Sequence, residues 1–169
     1  MTKIVPYGTV LYRIFIRGDI AIIEKTQGGF LISQINQIGG RIFEKLLKER
    51  GIDDFNGPQG RILFVLWQND DLPISEICQK TSLSKSTLTS MLDRMEQQGH
   101  IHRNYDPNDR RQIRITLSEK AKALNQKYLE VSRQMNHIFY QGFSDDAVAV
   151  FEKTLAKILD NLKQYERNQ

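Results

Sequence analysis

Residues 84–117 have the sequence SKSTLTSMLDRMEQQGHIHRNYDPNDRRQIRITL. Apolar residues in its first part recur three and four positions apart: Leu88, Met91, Leu92 and Met95. This spacing predicts a helix with one inward face. Ser84 is a good N-cap for that helix, because its hydroxyl can accept a hydrogen bond from a free backbone N–H in the first turn.

The opposite face of the predicted helix carries short polar side chains and two cations: Lys85, Ser86, Thr87, Thr89, Ser90 and Arg94. Short hydroxyl-bearing side chains let a helix approach base edges and phosphates in the major groove, which longer side chains would obstruct. An ordinary solvated polar face with a serine cap explains the same pattern equally well. The helix alone therefore leaves both interpretations open.

The segment after this helix shifts the balance towards DNA. Alternating residues at 101–105 and 112–117 predict two strands, and DPND at residues 106–109 is typical of a turn. The tip of this hairpin then carries Arg110 and Arg111, while the carboxylate of Asp109 can pair with an arginine and fix the shape of the tip. A helix-turn-helix followed by a basic hairpin indicates a winged helix, whose wing reaches the DNA backbone or minor groove. A tip that charge merely keeps soluble is the plainer alternative.

Helices are predicted on both sides of this module. A first helix runs from residue 30 to a cap at Gly51, with one apolar stripe formed by Leu31, Ile35, Ile38, Ile42 and Leu46. A second begins at NGP, residues 56–58, and a third at Pro73. Two long amphipathic helices follow the hairpin, and Ser144 with its two following aspartates marks the start of the last one.

The stripes of those last two helices are each six positions long: Ala121, Leu124, Tyr128, Val131, Met135 and Ile138, then Val148, Phe151, Leu155, Ile158, Leu162 and Tyr165. Such stripes exceed what a small winged helix needs to cover itself, so we expect part of them to face another subunit. A helical pair packed within one chain is the alternative.

Residues 1–25 need separate treatment because they are rich in apolar residues. Arg13, Arg17 and Asp19 interrupt the run, which never approaches the ~20 apolar residues of a membrane span. We therefore expect no membrane association. Two β-branched and aromatic stretches flank RGD at residues 17–19 and predict a short β-hairpin instead.

Composition sets the outer bounds. The chain has 169 residues, which suits one well-buried domain or a small domain with extra helices. Its net charge of +4 permits a nucleic-acid partner without requiring one. The single cysteine, Cys78, excludes an intrachain disulfide framework and favours a reducing, cytoplasmic location.

Other residues that could form a metal or catalytic site give weaker predictions. Cys78 occupies a position where a helix-turn-helix needs a small buried residue. His100 and His102 are predicted to lie on one face of a strand and offer two ligands to a metal, without a third nearby. The aspartate pairs at residues 53–54, 70–71 and 145–146 fall at helix boundaries, where capping explains them. No phosphate loop, dinucleotide fingerprint or catalytic triad signature occurs, so we expect neither enzyme activity nor a cofactor.

Residues 72–124 resemble the MarR (multiple antibiotic resistance regulator) family of bacterial transcription factors. The resemblance lies in the helix-turn-helix, in LDRMEQQG at residues 92–99, and in DPNDRR at residues 106–111 before IRITLS at residues 113–118. It implies an α+β winged-helix homodimer that binds a pseudo-palindromic operator and is released by a small ligand, an oxidant or a metal. The first 25 residues have no counterpart in the usual family pattern.

These inferences give one prediction and two alternatives. We predict a mainly α-helical chain with a small β-hairpin, divided into three parts: an N-terminal extension at 1–29, a helical dimerisation region at 30–55 and 118–169, and a winged helix-turn-helix at 56–117. Its predicted function is a homodimeric repressor that binds double-stranded DNA and is relieved by a small-molecule effector. The alternatives are a winged helix used for protein–protein assembly and a metal-responsive regulator using His100 and His102. Four side chains suit either an effector cleft or ordinary core: Phe43, Phe64, Trp67 and Met135.

Overall fold

A computed structural model describes residues 26–109 and 111–168. In these ranges six helices and three short strands follow one another: α1 (Gly28–Glu49), α2 (Gly57–Gln68), β1 (Leu72–Pro73), α3 (Ile74–Thr81), α4 (Lys85–Gln97), β2 (Ile101–Tyr105), β3 (Ile113–Leu117), α5 (Glu119–Phe139) and α6 (Asp145–Arg167). The predicted mainly helical fold with a small antiparallel sheet is confirmed. The hairpin predicted in residues 1–25 lies outside the described residues, as does Arg110.

Helix boundaries follow the local chemistry of the sequence. Asn56 caps α2 through a reciprocal pair of hydrogen bonds with Gln59, in which each side chain accepts from the other residue's backbone N–H. The predicted caps Ser84 and Ser144 accept from backbone N–H groups of α4 and α6. Gly51 follows α1 with a φ of +68°, a conformation that glycine adopts without steric cost. These four helices therefore begin or end where the sequence provides the required group.

The sheet has one strand more than the predicted hairpin. Strand β3 lies in the centre, with β2 antiparallel on one side and β1 on the other. In β1, Leu72 pairs with Ile115 and Pro73 with Arg114. Pro73 was predicted only to open the third helix, and it both ends β1 and precedes the first residue of α3. Two residues are too short to show the alternation that identifies a strand.

The hydrophobic core lies mainly in the winged helix-turn-helix. Its fully buried side chains come from α2, α3, α4 and the sheet: Ile62, Leu63, Leu66, Ile77, Leu88, Leu92, Met95, Ile101 and Ile115. Helix α1 adds Leu46 and Leu47 from its last turns, and α5 adds Ala121, Tyr128 and Val131. Helix α6 has no buried residue.

Tyr128 of α5 joins this core to the flanking helices. Its ring packs edge-on against Phe43 of α1 at 5.6 Å between centroids, and at a tilt against Trp67 of α2 at 4.9 Å. Trp67 donates from Nε1 to the carbonyl of Ala121, 3.0 Å away. A Cβ added to Gly60 would lie 2.9 Å from Tyr128 Cε2. The absence of a side chain at Gly60 therefore permits the close approach of α5 to α2.

Apolar side chains remain exposed on the helices outside the core. They lie in the first half of α1, at the end of α5 and along α6: Phe30, Leu31, Ile35, Ile38, Ile138, Phe139, Val150, Ile158, Leu159, Leu162 and Tyr165. Within the described ranges, every helix is too short or too polar to cross a membrane.

Candidate nucleic-acid interface

The outward face of α4 contains the six residues that the sequence assigns to it: Lys85, Ser86, Thr87, Thr89, Ser90 and Arg94. All six are exposed. The capping hydroxyl of Ser84 accepts from the Thr87 N–H at 3.2 Å and lies 2.8 Å from Thr87 Oγ1. Thr89 Oγ1 donates to the Lys85 carbonyl at 2.8 Å. The hydroxyls therefore cover the first turns of the helix with polar groups.

The amino terminus of α4 also suits an anionic partner. Its first turn contains no acidic residue, whereas the first turn of α6 contains Asp145 and Asp146. The unpaired N–H groups and the dipole at a helix amino terminus attract negative charge, including phosphate. In α6 the chain's own carboxylates meet that field, and in α4 it remains available to a phosphate.

The tip of the wing is shaped by two aspartates. Asp106 Oδ1 accepts from the backbone N–H groups of Asn108 and Asp109, at 2.8 and 3.3 Å. Asp109 accepts from Arg111 through its backbone N–H, Nε and Nη2, at 3.0 to 3.2 Å. Its hydrogen bonds from the Arg111 side chain and backbone lower the pKa of Asp109. The Arg111 side chain is nevertheless 91% exposed, so its guanidinium remains accessible at the tip.

A groove of about 330 Å³ brings the helix and the wing together. It lies between α3, α4 and the wing, and its lining includes Lys85, Thr89 and Arg111. Three residues assigned to DNA from two separate sequence motifs therefore face one concave surface.

Arg114 of β3 holds the base of the wing and was not among the residues predicted from the sequence. Its Nε donates to Asp71 Oδ1 at 2.9 Å, its Nη1 to Asp106 Oδ2 at 3.2 Å, and its Nη2 to the Asp71 carbonyl. These bonds, with Asp71 first, raise the pKa of Arg114. The backbone N–H of Asn108 and then the Arg114 side chain lower the pKa of Asp106. An arginine within a strand gave no sign of a partner 43 residues away.

The Asp70-Asp71 pair was wrongly interpreted as helix capping. Asp70 Oδ1 accepts from the backbone N–H of Leu117 at 2.8 Å, and Asp71, with a φ of 60°, pairs with Arg114. Both carboxylates thus hold β3 against the loop between α2 and β1. In the Asp53-Asp54 pair, Asp54 pairs with Lys120 of α5 at 2.8 Å, which lowers the pKa of Asp54.

The two histidines occupy different environments. His100 precedes β2, so its placement in a strand was wrong; it is fully buried, with Nε2 3.2 Å from the Asp54 carbonyl and its ring against Phe55. His102 lies in β2 and is exposed. In the described part of the chain, no group of three or more His, Cys, Asp or Glu side chains is arranged to hold a metal ion. Cys78 is a free, partly buried thiol on α3.

Comparisons with known proteins agree with this geometry. The model of the MarR family matches residues 55–113. The chain is 30% identical over 124 residues to an uncharacterized HTH-type transcriptional regulator, YsmB of Bacillus subtilis (strain 168), covering 70% of this chain and 85% of that relative. It is 27% identical over 120 residues to the HTH-type transcriptional repressor IacR of Pseudomonas putida, covering 71% of this chain and 70% of IacR.

A solved structure gives the same result. The crystal structure of overoxidized AbfR bound to DNA superposes with a TM-score of 0.64 at 28% identity, covering 80% of this chain and 91% of AbfR. The matched family and relatives are transcriptional regulators and not enzymes. The chain therefore belongs to the MarR family of DNA-binding transcriptional regulators.

Proposed function

We propose that the chain is a cytoplasmic homodimeric repressor that binds a pseudo-palindromic operator and is released by a small-molecule effector. The observation that carries the proposal is the groove shared by α4 and the wing, where Lys85, Thr89 and Arg111 face the same space. A convex polar helix beside a basic hairpin matches the width of a DNA major groove flanked by phosphates.

Each residue of the proposed interface has a role set by its chemistry. Ser86, Thr87, Thr89 and Ser90 are short enough for base edges, while Lys85 and Arg94 supply charge for phosphates. Ser84 caps the helix and is proposed to border the DNA major groove. Arg110 and Arg111 are proposed to hold the wing on the DNA backbone or in the minor groove, and Asp109 to keep the tip in shape.

The dimer is proposed to form through residues 30–55 and 118–169. Exposed apolar side chains on α1 and α6 support this, since a surface of that kind commonly marks an interface. A two-fold axis between the two chains would set the recognition helices about one DNA turn apart, ~34 Å, and so match an inverted repeat.

Release by an effector requires a ligand that binds more tightly to a conformation unsuited to the operator. The ring of Tyr128 on α5 contacts Phe43 of α1 and Phe64 and Trp67 of α2, and these four rings are called the Tyr128 seam. This aromatic seam suits such a ligand. Movement at this seam would change the position of the winged helix relative to the flanking helices.

Binding to DNA from the region upstream of its own coding sequence tests the proposal. We expect tight, salt-sensitive binding to an inverted repeat that excess nonspecific DNA does not displace. Arg111→Ala should lower the slope of log affinity against log salt by ~0.9 for each phosphate that the arginine neutralises. Arg61→Ala removes the same charge from the exposed surface of α2 and serves as the matched control.

Two outcomes would contradict the proposal. Equal slopes for the wild type and Arg111→Ala would remove the wing from the interface. Failure of the wild type to bind any DNA, at any salt concentration, would favour the alternative in which the winged helix binds another protein.

A further inference from the structure

Arg103 of β2 reaches across to the flank of α4 beside the proposed DNA-contacting face. Its Nη1 lies 2.7 Å from Asp93 Oδ1 and 3.4 Å from Glu96 Oε2, and its Nη2 donates to the Thr89 carbonyl at 3.4 Å. Residues 89, 93 and 96 are four and three positions apart, so they lie along one side of the helix. One guanidinium thus contacts two turns of α4 from the strand that begins the wing.

These contacts are better suited to fixing an orientation than to binding DNA. The Arg103 side chain is 23% exposed, compared with 91% for Arg111, and two carboxylates already neutralise it. A planar guanidinium has fixed donor directions, so contacts with two carboxylates and a carbonyl restrain both rotation and sliding of the helix. Arg103 Nε is buried and lacks a hydrogen-bond partner among the described residues, so the side chain holds α4 through Nη1 and Nη2.

We propose that Arg103 is a positioning residue that sets the angle of the recognition helix α4 relative to the wing, and thereby the discrimination between operator and other DNA. This inference rests on the proposed function. Base contacts depend on placement of side chains to within a fraction of an ångström, whereas phosphate contacts tolerate small shifts of the protein. Loosening the hold of Arg103 on α4 should therefore weaken binding to the correct sequence much more than binding to unrelated sequence.

The experiment measures the ratio of two affinities for each variant. The probes are a duplex that the wild-type protein selects from a random-sequence library and a scrambled duplex of the same composition, at two salt concentrations. We expect Arg103→Gln to lower the ratio about tenfold or more, while affinity for the scrambled duplex changes by less than about threefold. The salt slope should stay unchanged, because the protein still neutralises the same phosphates.

Two further variants separate positioning from folding. Arg103→Lys replaces the unpartnered Nε by a methylene, so we expect unchanged thermal stability but an intermediate ratio, because an ammonium cannot make the same set of contacts. Asp93→Asn should lower the ratio, and its effect should largely disappear when Arg103 is already glutamine. Glu130→Gln is the matched control: it removes one carboxylate paired with an arginine at 2.6 Å, on α5, and should leave the ratio within about twofold.

The outcomes distinguish this inference from the proposed function. A wild type that selects a sequence, with an unchanged ratio in Arg103→Gln and Arg103→Lys, would overturn the positioning role alone. An equal loss of affinity for both duplexes with a lower salt slope would mean that Arg103 binds a phosphate, and would overturn the positioning role as well. A wild type that selects no sequence would overturn the proposed function and this inference together.

Discussion

Helices α4 and α6 have the same kind of sequence pattern, but the apolar face of α4 is buried in the structure and that of α6 is exposed. In α4 the apolar residues Leu88, Leu92 and Met95 are fully buried. In α6 the apolar residues Ile158, Leu162 and Tyr165 are 41%, 63% and 69% exposed. The periodicity indicates which face of a helix seeks burial, but only the rest of the fold shows whether one chain can bury it. The core of the winged helix is buried within one chain, whereas the apolar face of α6 is left exposed and would be covered in the proposed dimer.

Leu162→Asp tests this difference between α4 and α6 and should have the largest effect. We expect the variant to remain folded, because the side chain is 63% exposed in the chain by itself, yet to lose the proposed dimer. Affinity for an inverted repeat should then fall about 10²- to 10⁴-fold, since the two half-sites are no longer bound by linked modules. Light scattering after gel filtration measures the assembly, and operator titration measures the affinity.

Gln164→Asp is the control for Leu162→Asp, because it adds the same charge at an exposed polar position two residues along α6. It should stay dimeric. Leu63→Ala, in the buried core of α2, should instead lower the free energy of unfolding by about 2–5 kcal/mol. A Leu162→Asp protein that remains dimeric would exclude this face from the interface.

Much of the fold could be predicted because the signals that mark its elements are local. The caps at Ser84 and Ser144, the start at Asn56 and the turn at residues 106–109 each depend on neighbouring residues. The inward face of α4 also followed from its spacing, as Leu88 and Leu92 show. Such signals identify an element and its faces without knowledge of the remaining chain.

Contacts between distant segments could not be predicted in this way. Arg114 and Asp71 are 43 residues apart, and Arg103 is a strand residue whose carboxylate partners lie on the preceding helix. Charged residues of this kind also suit a solvated surface or phosphate binding. Burial of His100 was equally invisible, because it depends on Phe55 from a different loop. The residues proposed to contact DNA could be named from local pattern, while the ion pairs of Arg103 and Arg114 with distant residues required the fold.

Gly60→Ala tests the close contact between α2 and α5 at Tyr128, and its expected effect is of intermediate size. The new Cβ would lie 2.9 Å from Tyr128 Cε2 and 3.3 Å from Phe55 Cε2, so two packed rings must move. We expect a loss of about 1–3 kcal/mol in the free energy of unfolding, measured by urea denaturation. The helix propensity of alanine offsets only part of this loss.

Gly40→Ala provides the matched control, because Gly40 is also helical and a Cβ there would meet nothing within 4 Å. It should leave stability of the chain unchanged or raise it by up to ~1 kcal/mol. Equal effects of the two substitutions would mean that α5 can shift relative to α2 without cost, and that Gly60 is not what allows their close approach.

The smallest effect at neutral pH is expected for Tyr128→Phe, which keeps the ring that joins the winged helix to α1 and α5. Burial raises the pKa of Tyr128 from 10.0 to about 12. A raised pKa in the folded state means that the neutral phenol is favoured there, so its contribution is fully present below pH 10 and is lost as the pH rises from 10 towards 12. Phenylalanine cannot ionise, so the variant should escape that part of the alkaline loss.

Urea denaturation at pH 8 and at pH 10.5 measures this difference. At pH 8 we expect Tyr128→Phe to change the free energy of unfolding by less than ~1 kcal/mol, and at pH 10.5 the variant should gain relative to the wild type. Tyr165→Phe, at a 69% exposed position on α6, controls for the loss of a phenol elsewhere. If both variants respond identically to pH, Tyr128 is not held in a water-excluding seam. A gain confined to Tyr128→Phe would mean that water is excluded from this phenol in the folded state, so an effector that binds there must displace packed side chains.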